Sequence, residues 1–308
     1  MAFWPEFPRR EIRSRAREAT GRRRSNRLGM IVELLSGHSV GWLAGLVVAL
    51  LATGIIAGLL AGLLGVGGGI VVVPVLYHLF TLLGVDESVK MHVAVGTSLA
   101  TIIPASIMSS RAHAKKGNLD VSLLRTWGPA LLVGVLIGIA ISGYLRGTTL
   151  TAIFAVVALL VAANMAFRSK GLALTDALPP TPFKQIIGTL VGGFSTLMGI
   201  GGGTLSVPLL TAFGYPIHRA VGTAAAIGMV ISLPGAIGFL INGLGVPNRP
   251  PLSLGYINLA GLALIVPMTM MMAPIGARIA HAVNANRLRQ VFAFFLFLTS
   301  LRMLYGLL

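Results

Sequence analysis

A five-residue glycine motif occurs twice in this chain, each time within apolar sequence. The first copy runs from Gly65 to Gly69 and is followed by Pro74, and the second runs from Gly199 to Gly203 and is followed by Pro208. Glycine and proline interrupt helices, and backbone groups released at membrane depth persist only where protein or a water-filled cavity receives them. The pattern therefore predicts two broken helices at corresponding places in the chain.

A second motif, His-x-Ala-Val-Gly-Thr, follows each glycine run, at His92–Thr97 and at His218–Thr223. The copies are offset by 134 residues at the glycine runs and by 126 residues at the second motif. Two motifs in the same order with similar offsets indicate a duplicated chain. Paired, glycine- and proline-interrupted apolar segments in two halves are typical of the binding site of a transporter.

The composition indicates an integral membrane protein, because 55% of the 308 residues are hydrophobic and only 10% are charged. The chain contains no cysteine, which excludes disulfides, thiolate metal sites and thiol nucleophiles. We therefore expect an all-α polytopic membrane protein with two homologous repeats and eight to ten membrane elements, its helices broken at the glycine-rich motifs.

Two of the apolar segments are shorter than a membrane span. A full span needs about 20 apolar residues, and the segments Ile70–Leu83 and Thr204–Phe213 fall below that length. They are predicted to be half-helices or re-entrant segments that follow the glycine breaks. Gly54, Gly58 and Gly62 recur every four residues, which predicts a surface where helices pack closely.

The predicted organisation is a basic tail (1–33), a first transmembrane repeat (34–168), a proline-containing linker (169–182) and a second repeat (183–308). The formal net charge is +16, and arginines are concentrated in the tail. Next to a membrane helix, such a cluster indicates a cytoplasmic segment that faces anionic lipids rather than a nucleic-acid arm. We expect a multi-pass protein of the cell membrane, the inner membrane in a Gram-negative organism, with a cytoplasmic N-terminus. The oligomeric state stays open.

The chemistry expected at membrane depth is that of a small-anion site. All eight acidic residues lie in the tail, the loops or the linker, whereas cation and proton pumps usually place carboxylates within the membrane. Helices that start after Gly69 and Gly203 would present unpaired N–H groups and the positive ends of their dipoles. Such helix starts bind anions. Sodium held by backbone carbonyls stays open.

The predicted substrate-binding residues come from the repeated motifs and the hydroxyl residues beside them. They are Gly65, Gly67, Gly68, Gly69, Pro74, Gly96, Thr97, Ser195, Gly199, Gly201, Gly202, Gly203, Thr204, Pro208, Gly222 and Thr223. A gating or proton role is considered for His92 and His218, because imidazole titrates near physiological pH, and for the adjacent Arg219, which could attract anions at the mouth of the site. The alternative for the histidines is an interfacial residue that caps a helix. No metal set or cofactor motif is predicted, and the histidines His78, His113 and His281 are scattered without ligand spacing.

The motifs Gly-Ile/Val-Gly-Gly-Gly with a following proline, and Ala-Val-Gly-Thr, each present twice, resemble those of the sulfite exporter TauE/SafE family of membrane permeases. The resemblance covers Trp42 to Leu308. It implies a duplicated inner-membrane transporter of small anions such as sulfite, sulfoacetate or related sulfonates. The matching positions are Gly65, Gly67, Gly68, Gly69, Pro74, Gly96 and Thr97, with Gly199, Gly201, Gly202, Gly203, Pro208, Gly222 and Thr223.

The expected function is secondary transport of a small anion, with export as the expected direction and with one repeat rocking against the other around the site. Two alternatives stay open. One is a channel or cation carrier, against which the missing carboxylates count. The other is a membrane scaffold without transport activity. An enzyme is not expected, because the apolar segments contain no nucleophile, metal set or acid–base pair in a catalytic arrangement.

Overall fold

The structure is a computed structural model that describes residues 40–65, 67–167, 178–279 and 285–307. Within these ranges the chain forms ten α-helices and one short β-hairpin. The helices are α1 (Val40–Leu64), α2 (Gly69–Leu82), α3 (Glu87–Ala114), α4 (Val121–Ser142), α5 (Gly147–Phe167), α6 (Phe183–Met198), α7 (Gly203–Ala212), α8 (Ile217–Asn242), α9 (Leu259–Ile279) and α10 (Ala285–Tyr305). The predictions for the tail 1–33, for residues 168–177 around the linker and for His281 lie outside the described residues.

The chain divides into two compact units, residues 1–47 and residues 48–308. Of the first unit, the structure describes the first eight residues of α1, residues 40–47. The second unit contains the rest of α1 and all the other elements. Its hairpin pairs β1 (Ser253–Leu254) with β2 (Ile257–Asn258) in antiparallel register, Ser253 opposite Asn258, directly before α9.

Six of the described helices, α1, α3, α4, α5, α8 and α9, are long and apolar enough to cross a membrane. The helices α2 and α7 are apolar but have only 14 and 10 residues, as expected for segments that follow the glycine breaks. The predicted fold class, an all-α polytopic membrane protein, is confirmed. The most buried spans are α3 and α8, with 78% and 56% of the apolar window buried, so these two helices form the centre of the unit.

Two helices, α3 and α4, begin several residues before their apolar segments, because a polar side chain caps each start. The side chain of Asp86 accepts a hydrogen bond from the backbone N–H of Ser88 at 2.8 Å, so α3 begins before the apolar stretch. Asp120 accepts from the N–H of Leu123 at 2.9 Å and starts α4 in the same way. A side-chain oxygen at this position satisfies an N–H group that has no partner within the helix.

The small-residue stripe of α1 is a packing surface, as predicted, and α4 has a close glycine contact of the same kind. A Cβ atom placed on Gly62 of α1 would lie 2.0 Å from the carbonyl oxygen of Ala273 in α9. A Cβ atom on Gly134 of α4 would lie 1.9 Å from the carbonyl oxygen of Thr189 in α6. Only glycine permits such close approach. The first helix of each half therefore packs against the fourth helix of the other half, α1 on α9 and α6 on α4.

Candidate functional site

The two glycine runs interrupt the chain between helices, and they touch each other. The first break separates α1 from α2, and the second separates α6 from α7. A Cβ atom on Gly67 would lie 3.6 Å from the Cα atom of Gly201, and one on Gly69 would lie 2.4 Å from the carbonyl oxygen of Gly199. The two predicted breaks thus form one junction inside the 48–308 unit.

Each break also lies against the helix that carries Ala-Val-Gly-Thr in the other half. A Cβ atom on Gly65 would lie 2.4 Å from the carbonyl oxygen of Val221 in α8. In the same way, a Cβ atom on Gly199 would lie 2.9 Å from the Cα atom of Val95 in α3. Val95 and Val221 occupy the same place in the two copies of the motif, so the contact is reciprocal.

The short helices start at the junction and run to opposite ends of α3. At its start, α2 lies beside Ser98, since a Cβ atom on Gly69 would lie 2.9 Å from the Ser98 hydroxyl oxygen. Further along α2, the ring of Tyr77 lies 4.4 Å from the Lys90 ammonium nitrogen, in the first turn of α3. Beyond the end of α7, the Tyr215 hydroxyl donates a hydrogen bond to Asp120, which follows the last turn of α3. The positive dipole ends of α2 and α7 therefore both lie at the junction.

Pro74 and Pro208 lie inside these short helices, at the same distance from their starts. A proline has no N–H group, so it cannot bond the carbonyl four residues before it. In α2 that carbonyl belongs to Ile70, and in α7 it belongs to Thr204. The prolines therefore release one carbonyl in the first turn of each short helix.

Buried hydroxyl groups surround the second break. Three of them lie on α6 and α7, namely Ser195, Thr204 and Ser206, and each side chain is at most 3% exposed. Their hydroxyl oxygens have no hydrogen-bond partner among the described residues. The sequence predicted Ser195 and Thr204 as site residues, and the structure places them on either side of the break.

Two further hydroxyl residues, Ser106 in α3 and Ser232 in α8, were missed by the sequence analysis. Both are buried, and their hydroxyl oxygens also lack a partner within the part of the chain that the structure describes. The Ser106 oxygen lies 2.6 Å from where a Cβ atom on Gly228 would be. A signal existed in the sequence, because Ser106 and Ser232 follow Thr97 and Thr223 at the same distance.

Thr97 and Thr223, which the sequence proposes as ligands, bond the residues that cap the starts of two helices. The hydroxyl oxygen of Thr97 accepts a hydrogen bond from the backbone N–H of Asn258 at 2.8 Å. The hydroxyl oxygen of Thr223 accepts from the N–H of Asp120 at 3.0 Å. Asn258 and Asp120 in turn accept from backbone N–H groups of the first turns of α9 and α4. The recurrence of these threonines thus has a structural reason.

Gly96 and Gly222 allow the same loops to approach. A Cβ atom on Gly96 would lie 2.4 Å from the carbonyl oxygen of Tyr256, and one on Gly222 would lie 2.3 Å from that of Asn118. No side chain fits at such distances. A side chain on either of these two glycines would therefore meet a loop of the opposite half.

The gating candidates lie in different surroundings. His92 lies in the second turn of α3 rather than at its start, its ring stacks on Tyr256 at 4.9 Å, and its Nε2 atom is 3.3 Å from the carbonyl oxygen of Ser142. His218 is exposed in the first turn of α8. Arg219, in the same turn, is half exposed and forms an ion pair with Asp120 at 2.8 Å. The structure does not bring these three residues together.

Asp120 is the centre of a polar cluster between the halves. The Tyr215 hydroxyl donates to its carboxylate, and this hydrogen bond, assisted by the Leu123 N–H and the Arg219 guanidinium, holds the pKa of Asp120 below its ordinary value. Burial and the neighbouring carboxylate raise the pKa of Tyr215 to about 12. At neutral pH Asp120 is therefore ionised and Tyr215 is protonated, and both states favour the hydrogen bond from the phenol to the carboxylate.

Within the described residues, no group of three or more His, Asp or Glu side chains could hold a metal ion. The methionine-rich part of α9 packs against another helix: Met268 and Met272 lie against Gly54 and Gly58 of α1. Flexible, apolar methionine side chains commonly fill such gaps.

Comparison with known proteins gives a consistent result. The family model described as Sulfite exporter TauE/SafE matches residues 50–303. A probable membrane transporter protein from Haemophilus influenzae is 36% identical over 272 residues, covering 88% of this chain and 96% of the relative. Another from Methanocaldococcus jannaschii is 28% identical, covering 79% and 90%, and YunE of Bacillus subtilis, also a probable membrane transporter protein, is 27% identical, covering 84% and 97%. No solved structure matches the chain.

Proposed function

The chain belongs to the sulfite exporter TauE/SafE family and is a membrane transporter, and from this premise we propose that it is a secondary transporter of a small anion such as sulfite or an organosulfonate. The anion binds where the two glycine breaks meet. The direction of transport under this proposal is export.

The observation that carries the proposal is the meeting of two helix starts at one junction. The first N–H groups of α2 and α7 have no partner within their own helices, and each helix start carries about half a positive charge. Gly67 and Gly201 are in contact, so both starts act on the same small volume. Two partial positive charges favour an anion over a cation.

The acidic side chains support the same conclusion. In the described ranges, acidic residues occur at Asp86, Glu87 and Asp120, and all three lie at helix starts outside the buried junction. No described carboxylate therefore competes with a bound anion or supplies a cation site there. Coupling through backbone carbonyls, including those released by Pro74 and Pro208, is compatible with this arrangement.

The membrane potential can drive export of such an anion. An inside-negative potential of 100 mV contributes about 2.3 kcal/mol for each negative charge that leaves the cell. The chain contains no Gly-Lys-Ser/Thr phosphate-binding loop. Ion gradients and the potential are thus the energy sources that fit the proposal.

Sulfite flux in proteoliposomes tests the proposal. We expect saturable sulfite or sulfonate flux with the wild-type protein and its loss in Gly202→Leu, because a side chain there would meet Ile227 at 2.5 Å and fill the junction. Gly128→Leu is the control, since no atom lies within 4 Å of a Cβ at that position. Unchanged flux in a correctly inserted Gly202→Leu protein would remove the proposed site.

A further inference from the structure

We propose that, at the junction of the two breaks, the side-chain ligands of the anion lie on the side of the second break alone: they are the hydroxyl groups of Ser106 and Ser206, next to the start of α7. This inference rests on the proposed function and assigns ligands to its site. It makes the site asymmetric, although the two glycine motifs are nearly identical.

Both hydroxyl groups lie against the second break. The Ser206 oxygen is 3.5 Å from where a Cβ atom on Gly202 would be. The Ser106 oxygen lies against Gly228, whose Cα atom is 3.5 Å from where a Cβ atom on Gly201 would be. Ser206 of α7 therefore lies directly beside Gly202, whereas Ser106 of α3 reaches the break by way of Gly228, which lies beside Gly201.

These hydroxyls are buried without a bonding partner. Ser106 is 1% exposed and Ser206 is 0% exposed, and neither oxygen has a hydrogen-bond partner among the residues described. A buried hydroxyl without a partner costs free energy, and such groups in native proteins call for an explanation. A bound oxyanion supplies the missing acceptors.

The first turn of α2, at the first break, offers no comparable side chains. The positions that correspond to Thr204 and Ser206 are Ile70 and Val72, which cannot donate a side-chain hydrogen bond. Ile102 of α3 lies between the two breaks, because its Cγ2 atom is 3.2 Å from where a Cβ on Gly67 would be and 2.7 Å from where a Cβ on Gly201 would be. The residue corresponding to Ile102 in α8 is Gly228, which has no side chain and leaves room for the Ser106 hydroxyl.

The partial positive charge at the start of α7 favours an anion among the ligands that hydroxyl groups can bind. Hydroxyl oxygens also coordinate sodium, but the start of α7 carries the positive end of the helix dipole, which disfavours a cation. With N–H and O–H donors on two sides, the site fits a small oxyanion, and sulfite is the probe of choice.

Calorimetric titration of the purified full-length protein in detergent with sodium sulfite tests the assignment. Ser106→Ala and Ser206→Ala should each raise the Kd by roughly tenfold, the effect of losing one hydrogen bond to a charged group. Ser109→Ala is the matched control on α3: its hydroxyl is equally buried but donates to the Ala61 carbonyl at 3.2 Å. This variant should keep the wild-type Kd.

Thermal unfolding without sulfite provides the second readout. Ser106→Ala should have an unchanged or higher Tm, because it removes an unpaired hydroxyl, whereas Ser109→Ala should have a lower Tm, because it removes a hydrogen bond. A purely structural role of Ser106 would give a lower Tm and an unchanged Kd.

The outcomes separate this inference from the proposed function. If the wild-type protein binds sulfite and both Ser106→Ala and Ser206→Ala bind it equally well, the inference is overturned while the proposed function stands. Sodium sulfite should raise the Tm of the wild-type protein, because a ligand bound to the folded state stabilises it. If sodium chloride raises the Tm equally, and Ser106→Ala abolishes that rise, the hydroxyls bind sodium and the anion assignment is overturned. If the wild-type protein neither binds nor transports sulfite or sulfonates, the proposed function itself fails.

Discussion

At the first break the chain turns through three glycines with positive φ, Gly65, Gly67 and Gly68, whereas at the second break only Gly199 has a positive φ among the described glycines. The first break is followed by Ile70 and Val72, and the second by Thr204 and Ser206. The same motif thus leads into two different surroundings. The first break is a turn of glycines with positive φ followed by apolar residues, and the second is followed by hydroxyl residues, among them Ser206, which we propose as a ligand.

The largest expected effect comes from adding one methyl group at the first break. In Gly69→Ala the new Cβ would lie 2.4 Å from the backbone carbonyl of Gly199, whereas in Gly201→Ala it would lie 2.7 Å from the side chain of Ile102, which can rotate. We expect Gly69→Ala to lose about 1–3 kcal/mol of stability and Gly201→Ala to lose less. Thermal unfolding in detergent measures both, with Gly128→Ala as the control. Equal losses at the two positions would remove the distinction between the breaks.

A smaller effect is expected from removing a hydroxyl group at the second break and adding one at the corresponding position of the first. Thr204→Val keeps the shape of the side chain, and we expect it to weaken sulfite binding without loss of stability. Ile70→Thr, the reverse change at the corresponding position, buries a hydroxyl without a partner and should cost about 1–2 kcal/mol of stability, with no change in Kd. Calorimetry and thermal unfolding on the same preparations measure the two effects. A gain of affinity in Ile70→Thr would show that the first break also takes part in binding.

The smallest expected effect concerns the helix caps that join the halves. Asp120 and Asn258 occupy equivalent places, but only Asp120 carries a charge and an ion pair with Arg219. Asp120→Asn keeps a good N-cap and should cost about 0.5–1.5 kcal/mol at pH 7 through the weakened bond to Tyr215.

The pH dependence of stability identifies this contribution. Because the folded state lowers the pKa of Asp120, its stabilisation is complete above the ordinary Asp pKa of about 3.9 and is lost as the pH falls through the lowered value. The Asp120→Asn protein lacks this loss. We therefore expect the free energies of unfolding of the wild-type and Asp120→Asn proteins, measured from pH 7 to pH 3, to converge at low pH. A constant difference over this range would exclude the charge of Asp120 as the cause of the stability difference.

The sequence was sufficient to predict the features that depend on local pattern. The glycine runs predicted both breaks, because glycine and proline interrupt helices whatever surrounds them. The four-residue spacing of Gly54, Gly58 and Gly62 predicted a packing surface, because small residues on one stripe let helix backbones approach closely. Helix lengths were less accurate where a polar cap extends the helix, as Asp86 does for α3.

Contacts between distant parts of the chain could not be predicted. Thr97 bonds a residue 161 positions away, and Thr223 bonds one 103 positions away. From the sequence alone, a threonine in a recurring motif next to a glycine run was as consistent with a ligand as with a helix cap. The spacing from Thr97 marks Ser106, but its burial without a hydrogen-bond partner, beside Gly228 of another helix, is a property of the packed fold.

The reciprocal packing has a consequence for how a transporter of this kind can move. Since α1 packs on α9 and α6 packs on α4, the two halves of the chain bury surface against each other. Rocking one half as a rigid body would separate these buried faces, so we expect a moving body that combines helices from both halves.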